Sequence, residues 1–213
     1  MPPAFSIYQR IPGLVLGFHG CDERVGETIL QGKETHLAHS TNDYDWLGRG
    51  IYFWENDPLR AWEFATEAAT KPFTTKGNIE KPFVLGAVID LGLCLNLADR
   101  RALDEVSDAY LVLQDLHELT GKPLPANKGR GFGKRYLDCA VIETLHGLRE
   151  RLDDLEDGED GLPPYDTVRS AFPEGELLYE NAGFQSKNHI QIAVINPRCI
   201  KGYFRPIMDP EDG

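Results

Sequence analysis

The chain has 213 residues, 41% of them hydrophobic, with 34 acidic against 22 basic side chains and a formal charge of −12; that suits one domain with a real core. Such a negative balance repels phosphate backbones, which argues against nucleic-acid binding through an overall positive field and suits a basic protein partner. No run of 18 apolar residues is present, which argues against a membrane span, and the four cysteines (Cys21, Cys94, Cys139, Cys199) are too scattered for a zinc site or a disulfide framework.

In chain order, Met1-Pro2-Pro3-Ala4-Phe5 lacks the basic and apolar parts of a signal peptide, so the expected compartment is the reducing cytoplasm. Leu14 to His19 is a short β-branched and aromatic run ended by glycine, which predicts a strand. Val25, Ile29 and Leu30, stopped by Gly32, predict a short helix over 22–32. The polar text from Lys33 to Leu47 reads as a loop, and Ile51 to Trp54 as the next strand. Asp57-Pro58 is a helix start, with an acceptor at the N-cap and proline at the first helical position. The helix from Leu59 to Thr70 is expected to present Leu59, Trp62, Ala65 and Ala69 on one face.

Phe83 to Asp90 reads as a buried strand, and Ala102 to Leu119 as a helix. Residues 122–133 read as a loop. A further helix is expected over 134–152, with Leu137, Val141, Leu145 and Leu148 as its apolar seam. The acidic run Asp153 to Asp160 is expected to be solvated. His189 to Ile195, a turn at Asn196-Pro197 and Gly202 to Arg205 close the chain with strands. Strands at both ends with a mainly helical stretch at about 95–185 predict an α+β fold. Gly129, Gly131 and Gly133 before Lys134 lack the spacing of a phosphate-binding loop.

Two strings carry the chemistry: Phe18-His19-Gly20-Cys21, and Gly48-Arg49-Gly50-Ile51-Tyr52-Phe53. Glycines at 48 and 50 let backbone approach a ligand; Tyr52 offers an aromatic face and His19 a ring donor or acceptor. Taken singly, each string reads equally well as a structural strand, but their joint occurrence points to a site. Together they resemble the ADP-ribosyltransferase superfamily, in its diphtheria-toxin-like branch that includes the poly(ADP-ribose) polymerases. Ile29-Leu30-x-Gly32, the helix from Asp57 and Ile192 to Ile200 extend the likeness over about 1–75 and 187–207.

The resemblance implies a split-sheet core, a single domain over 1–213 with a mainly helical insertion at about 95–185, and NAD as co-substrate. His19 would hold ribose hydroxyls, the Gly20 backbone the nicotinamide carboxamide, and Tyr52 the nicotinamide ring, with Cys21 and Gly50 in the same NAD-binding set. Trp62 or Phe64 would cover the ring's other side. Where the polymerases place a catalytic glutamate, this chain has Gln191, which can hold a hydroxyl but cannot be a general base. Glu174, Glu176 and His189 are the other candidates for a base.

The implied activity is transfer of one ADP-ribose to a macromolecule, protein or RNA/DNA. The setting is that of a toxin–antitoxin or phage-defence effector, with an antitoxin or inhibitor as a further partner. The alternatives are an NAD glycohydrolase and a catalytically silent NAD or ADP-ribose module. Asn127, Lys128, Arg130, Lys134 and Arg135, with Phe132 and Tyr136, form the basic cluster where a nucleic-acid acceptor would be sought.

Overall fold

A computed structural model describes residues 13–70, 78–129, 134–155 and 162–207. Met1 to Phe5, Arg130 and Phe132 lie outside the described residues, as does the acidic run beyond Leu155. The elements are β1 (Leu14–Asp22), α1 (Glu23–Leu30), β2 (Ile51–Glu55), α2 (Pro58–Thr70), β3 (Pro82–Asp90) and β4 (Cys94–Asn96). They continue with α3 (Arg100–Thr120), α4 (Tyr136–Leu155), β5 (Thr167–Phe172), β6 (His189–Val194) and β7 (Ile200–Phe204). The class is α+β: the strands form a seven-stranded open sheet in the order β4-β5-β6-β2-β1-β3-β7. It is mixed, because β4 and β5 run parallel while the other pairs are antiparallel.

The sheet opens in its middle. β1 and β2 pair only at Gly17–Glu55 and Phe18–Trp54. Past that point β1 continues along β3 to Asp22, and β2 continues along β6 from Ile51. Strands that part leave backbone groups without ladder partners, so the gap needs other groups to fill it. Both sequence strings identified above border this opening.

Alternating side chains send two cores to opposite faces. Ile51, Phe53, Leu85, Ala87, Ile89 and Ile192 face one side, with Ile29 of α1 among them. On the other, Phe18 and Trp54 pack with Ala61 of α2. Further along, Val168 and Ala193 pack with Ala109 and Leu113 of α3 and Val141, Ile142 and Leu145 of α4. No helix among the described residues is long and apolar enough to cross a membrane.

Two expectations need correction. The buried positions of α2 are Arg60, Ala61, Ala65 and Ala68, while Leu59 and Trp62 are 66% and 44% exposed. The helix lies so close to β1 that only small residues fit between them. A Cβ on Gly20 would fall 2.2 Å from the Ala61 carbonyl oxygen. Ala65 and Ala69 of the expected face do pack inward, but reading the face from its largest apolar residues wrongly placed Leu59 and Trp62 on it. The second concerns 95–185, which holds α3 and α4 but also β5 and most of β4. β5 lies inside the sheet, between β4 and β6, so part of this stretch belongs to the sheet itself. Its polar alternation, Thr167-Val168-Arg169-Ser170, hid it from a search for apolar runs.

At the end of β1, Asp22 caps α1. Its Oδ1 accepts from Arg24 N at 3.0 Å, and its Oδ2 from Glu80 N at 2.8 Å and Lys81 N at 3.1 Å. Burial alone would raise its carboxyl. The side-chain bond from Arg24 and the backbone donors outweigh that and hold it well below the usual carboxylate range. The stabilisation is therefore complete above the unfolded pKa of about 4 and is lost as pH falls through the depressed folded value. Asp22→Ala is expected to cost roughly 1–3 kcal/mol at neutral pH. Melting curves should show the gap to wild type closing below about pH 4; a gap constant with pH would show that the carboxylate is not the source.

Candidate functional site

A cavity of about 580 Å³ occupies the opening between β1 and β2, a size that suits a small-molecule ligand. Its walls come from both faces of the sheet: Cys21 and Leu37 belong to the core under Phe53, and Trp54 and Phe64 to the core under α2. A closed sheet would keep these groups apart.

His19 spans the opening. Its Nδ1 lies 2.7 Å from the Tyr52 carbonyl oxygen. A carbonyl only accepts, so Nδ1 carries the proton and Nε2 is left with a lone pair. Burial lowers the ring's pKa, with the Tyr52 bond pushing the other way, so the imidazole is neutral at physiological pH. A neutral histidine of this tautomer, half-buried on the cavity wall, accepts a hydrogen bond from a ligand hydroxyl.

Tyr52 has its hydroxyl occupied elsewhere. It donates to the Gly48 carbonyl at 2.7 Å and accepts from Leu47 N at 3.1 Å. Burial holds its pKa well above the usual value, so it carries no titratable role. What it presents to the cavity is its ring. The turn it clamps needs glycine at 48, where φ is +75° and a Cβ would meet Glu143 Oε1 of α4 at 2.7 Å.

Gln191 lines the same cavity from β6, opposite Trp54 on β2 and Ser170 on β5. Trp46, in the loop between the two strings, donates from Nε1 to Gln191 Oε1 at 2.6 Å. The amide is therefore oriented, with its N–H₂ left for the cavity. The Trp46 ring lies 4.7 Å from that of Phe172, and the Arg135 guanidinium sits 5.2 Å and 4.7 Å from their centroids. Trp46 was missed in the sequence, although a lone tryptophan among Asn42, Asp43, Tyr44 and Asp45 was a usable signal.

Beyond Gln191 the wall turns polar. Arg60 of α2 reaches across to Glu174, its Nη2 lying 2.8 Å from each carboxylate oxygen. His189 sits two residues before Gln191, on the same face of β6. Its Nδ1 donates to the Lys187 carbonyl at 2.7 Å and lies 3.7 Å from Glu174 Oε2. Burial lowers the His189 pKa, partly offset by the Lys187 bond and the Glu174 charge. Glu176, named with Glu174 and His189 as a candidate base, does not line the cavity.

Of the residues expected in the site, His19, Gly20, Cys21, Tyr52, Phe64 and Gln191 line the cavity. Trp62 and Gly50 do not: Trp62 points outward from α2, and Gly50 packs against Ala193. Between Trp62 and Phe64, the geometry thus selects Phe64, whose ring lies 5.1 Å from that of Trp54. The Cys21 thiol is pushed up to about 12, chiefly by burial, and is inert as a nucleophile. In the basic cluster, Lys128 and Lys134 exchange backbone hydrogen bonds. Their ammonium groups lie over Tyr136 and Tyr44, and Arg135 reaches the cavity wall. Compared with known protein families, curated proteins and solved structures, the chain matches none.

Proposed function

We propose that the protein binds NAD in this cavity, cleaves the nicotinamide–ribose bond and transfers one ADP-ribose to a macromolecule, protein or nucleic acid. One observation carries the reading. His19, Tyr52 and Gln191, from three separate strands, meet on one cavity, with His19 Nε2 and the Gln191 amide N–H₂ left to a ligand. Nε2 of His19 accepts from a ribose hydroxyl. The rings of Tyr52 and Phe64 wall the flat nicotinamide, and the Gln191 amide donates to a ribose oxygen. Departure of nicotinamide builds positive charge on the ribose carbon, as in glycoside cleavage. The gain comes from fixing the sugar and from electrostatics. An effector of a toxin–antitoxin or phage-defence system is the setting this reading suits.

Labelled NAD, incubated with the protein alone and with cell lysate, tests it. Nicotinamide release is expected, with label carried into polymer. Protease and nuclease digestion then separate a protein acceptor from a nucleic acid. Release without labelled polymer would make the protein a glycohydrolase, and no release would remove the reading.

Binding has its own test. NAD is expected to raise the melting temperature by mass action. In His19→Asn the shorter amide keeps a donor for the Tyr52 carbonyl but offers nothing in place of Nε2. The fold should stand and NAD affinity fall about tenfold, the worth of one hydrogen bond. Equal thermal shifts in both proteins would put the nicotinamide site elsewhere.

A further inference from the structure

Gln191 holds a sugar but accepts no proton, and transfer to a hydroxyl or amine needs a proton acceptor. Among the described residues, three carboxylates line the cavity: Asp22, Asp45 and Glu174. Asp22 is 5% exposed and is occupied by Arg24 and the backbone donors of Glu80 and Lys81. Asp45 accepts from Ser40 Oγ and Asn42 Nδ2, which close its own loop. Glu174 differs. Its side chain is 36% exposed, and Arg60 Nη2 bonds both oxygens, using two of the roughly four lone-pair positions of a carboxylate.

Its place in the cavity also fits. Glu174 Oε2 is 3.7 Å from His189 Nδ1. His189 and Gln191 follow one another on a single face of β6, about 7 Å apart at the usual rise of a strand. Glu174 thus stands about one side-chain spacing from Gln191 along the same cavity wall. Arg60, itself 7% exposed and lying over the Trp54 ring at 5.5 Å, fixes the carboxylate from behind. Nε and Nη1 of Arg60 and Nε2 of His189 are buried without hydrogen-bond partners, so the wall at this end of the cavity is polar.

We infer that Glu174 is the general base of the transfer, supplying from the loop before β6 the carboxylate that Gln191 lacks, with Arg60 as its positioning residue. The inference rests on the NAD reading above. In the step, an oxygen or nitrogen lone pair of the acceptor forms the new bond to the ribose carbon. The ribose–nitrogen bond breaks, and its electron pair leaves with nicotinamide, which departs neutral. The acceptor's proton passes to a Glu174 oxygen and from there to water. Nothing is oxidised or reduced.

The test is a pair of variants read by nicotinamide release, labelled transfer into lysate and NAD affinity by calorimetry. Glu174→Gln keeps an acceptor for Arg60 but is not basic. Its rate is expected to fall about 10²-fold, at the low end of general-base contributions, with NAD affinity within about twofold of wild type. Glu174→Asp keeps a carboxylate at the same position on a shorter side chain and is expected to retain at least about tenfold more of the rate than Glu174→Gln. Melting curves check that both variants are folded. A Glu174→Gln rate equal to wild type, or a Glu174→Asp rate as low as that of Glu174→Gln, overturns the inference while leaving the NAD reading in place. A wild-type protein that releases no nicotinamide, alone or in lysate, overturns both.

Discussion

Gln191→Ala is expected to slow nicotinamide release on the order of 10²-fold or more while NAD affinity changes little. The side chain is oriented before any ligand arrives, because Trp46 holds its oxygen at 2.6 Å across 145 residues of sequence. On the proposed reaction, a donor fixed in this way costs no reorganisation when the sugar flattens toward its transition state. Its loss therefore shows in kcat more than in binding. Steady-state nicotinamide release gives kcat and KM separately. Unchanged kcat would mean that Gln191 does not touch the reacting sugar. A rise in KM alone would mean that it binds substrate and transition state alike. Trp46→Phe keeps the ring against Phe172 but removes the indole donor. It should give a smaller loss in the same parameter, since the amide is then free to turn.

Gly20→Ala is expected to destabilise the fold strongly. The added Cβ would stand 2.2 Å from the Ala61 carbonyl oxygen and 3.2 Å from Phe64 Cδ1. The first neighbour is helix backbone and cannot rotate away, so α2 itself must shift. Overpacking of this kind costs about 1–3 kcal/mol. At this chain length, each kcal/mol lowers the melting temperature by about 2–4 °C. Because α2 carries both Phe64 and Arg60 to the cavity wall, the NAD-dependent thermal shift should weaken together with stability. A variant that melts with wild type would show that α2 does not press on β1 at this point. The family-like string therefore has two reasons for its glycine: the ligand side that the resemblance implies, and a helix that leaves no room for a side chain.

Much of the fold was legible because its signals are local. Asp57 and Pro58 cap α2 as expected, with Asp57 Oδ1 accepting from Arg60 N at 2.9 Å. Apolar runs marked β1, β2, β3 and β6, and helical periodicity marked α3 and α4. These effects act over one turn or one strand, so neighbouring residues suffice to predict them. The resemblance carried by the two strings and their separation brought His19, Gly20 and Tyr52 together as one candidate site, with no contact known.

What the tertiary structure decided lies between residues far apart in the chain. Which face of α2 is buried depends on how closely β1 approaches it, and that selected Phe64 over Trp62. β5 became a strand because β4 and β6 flank it, despite its polar alternation. The Trp46–Gln191 bond joins residues 145 apart, and the Arg60–Glu174 pair residues 114 apart. No pattern within a single element encodes such pairs. They arise where the sheet opens between β1 and β2 and the loops before β2 and β6 close over the gap. By itself the sequence determined β1, β2, β3, β6 and β7 and the residue types at the site; the sheet as a whole determined β4 and β5, and its opening determined which residues face one another.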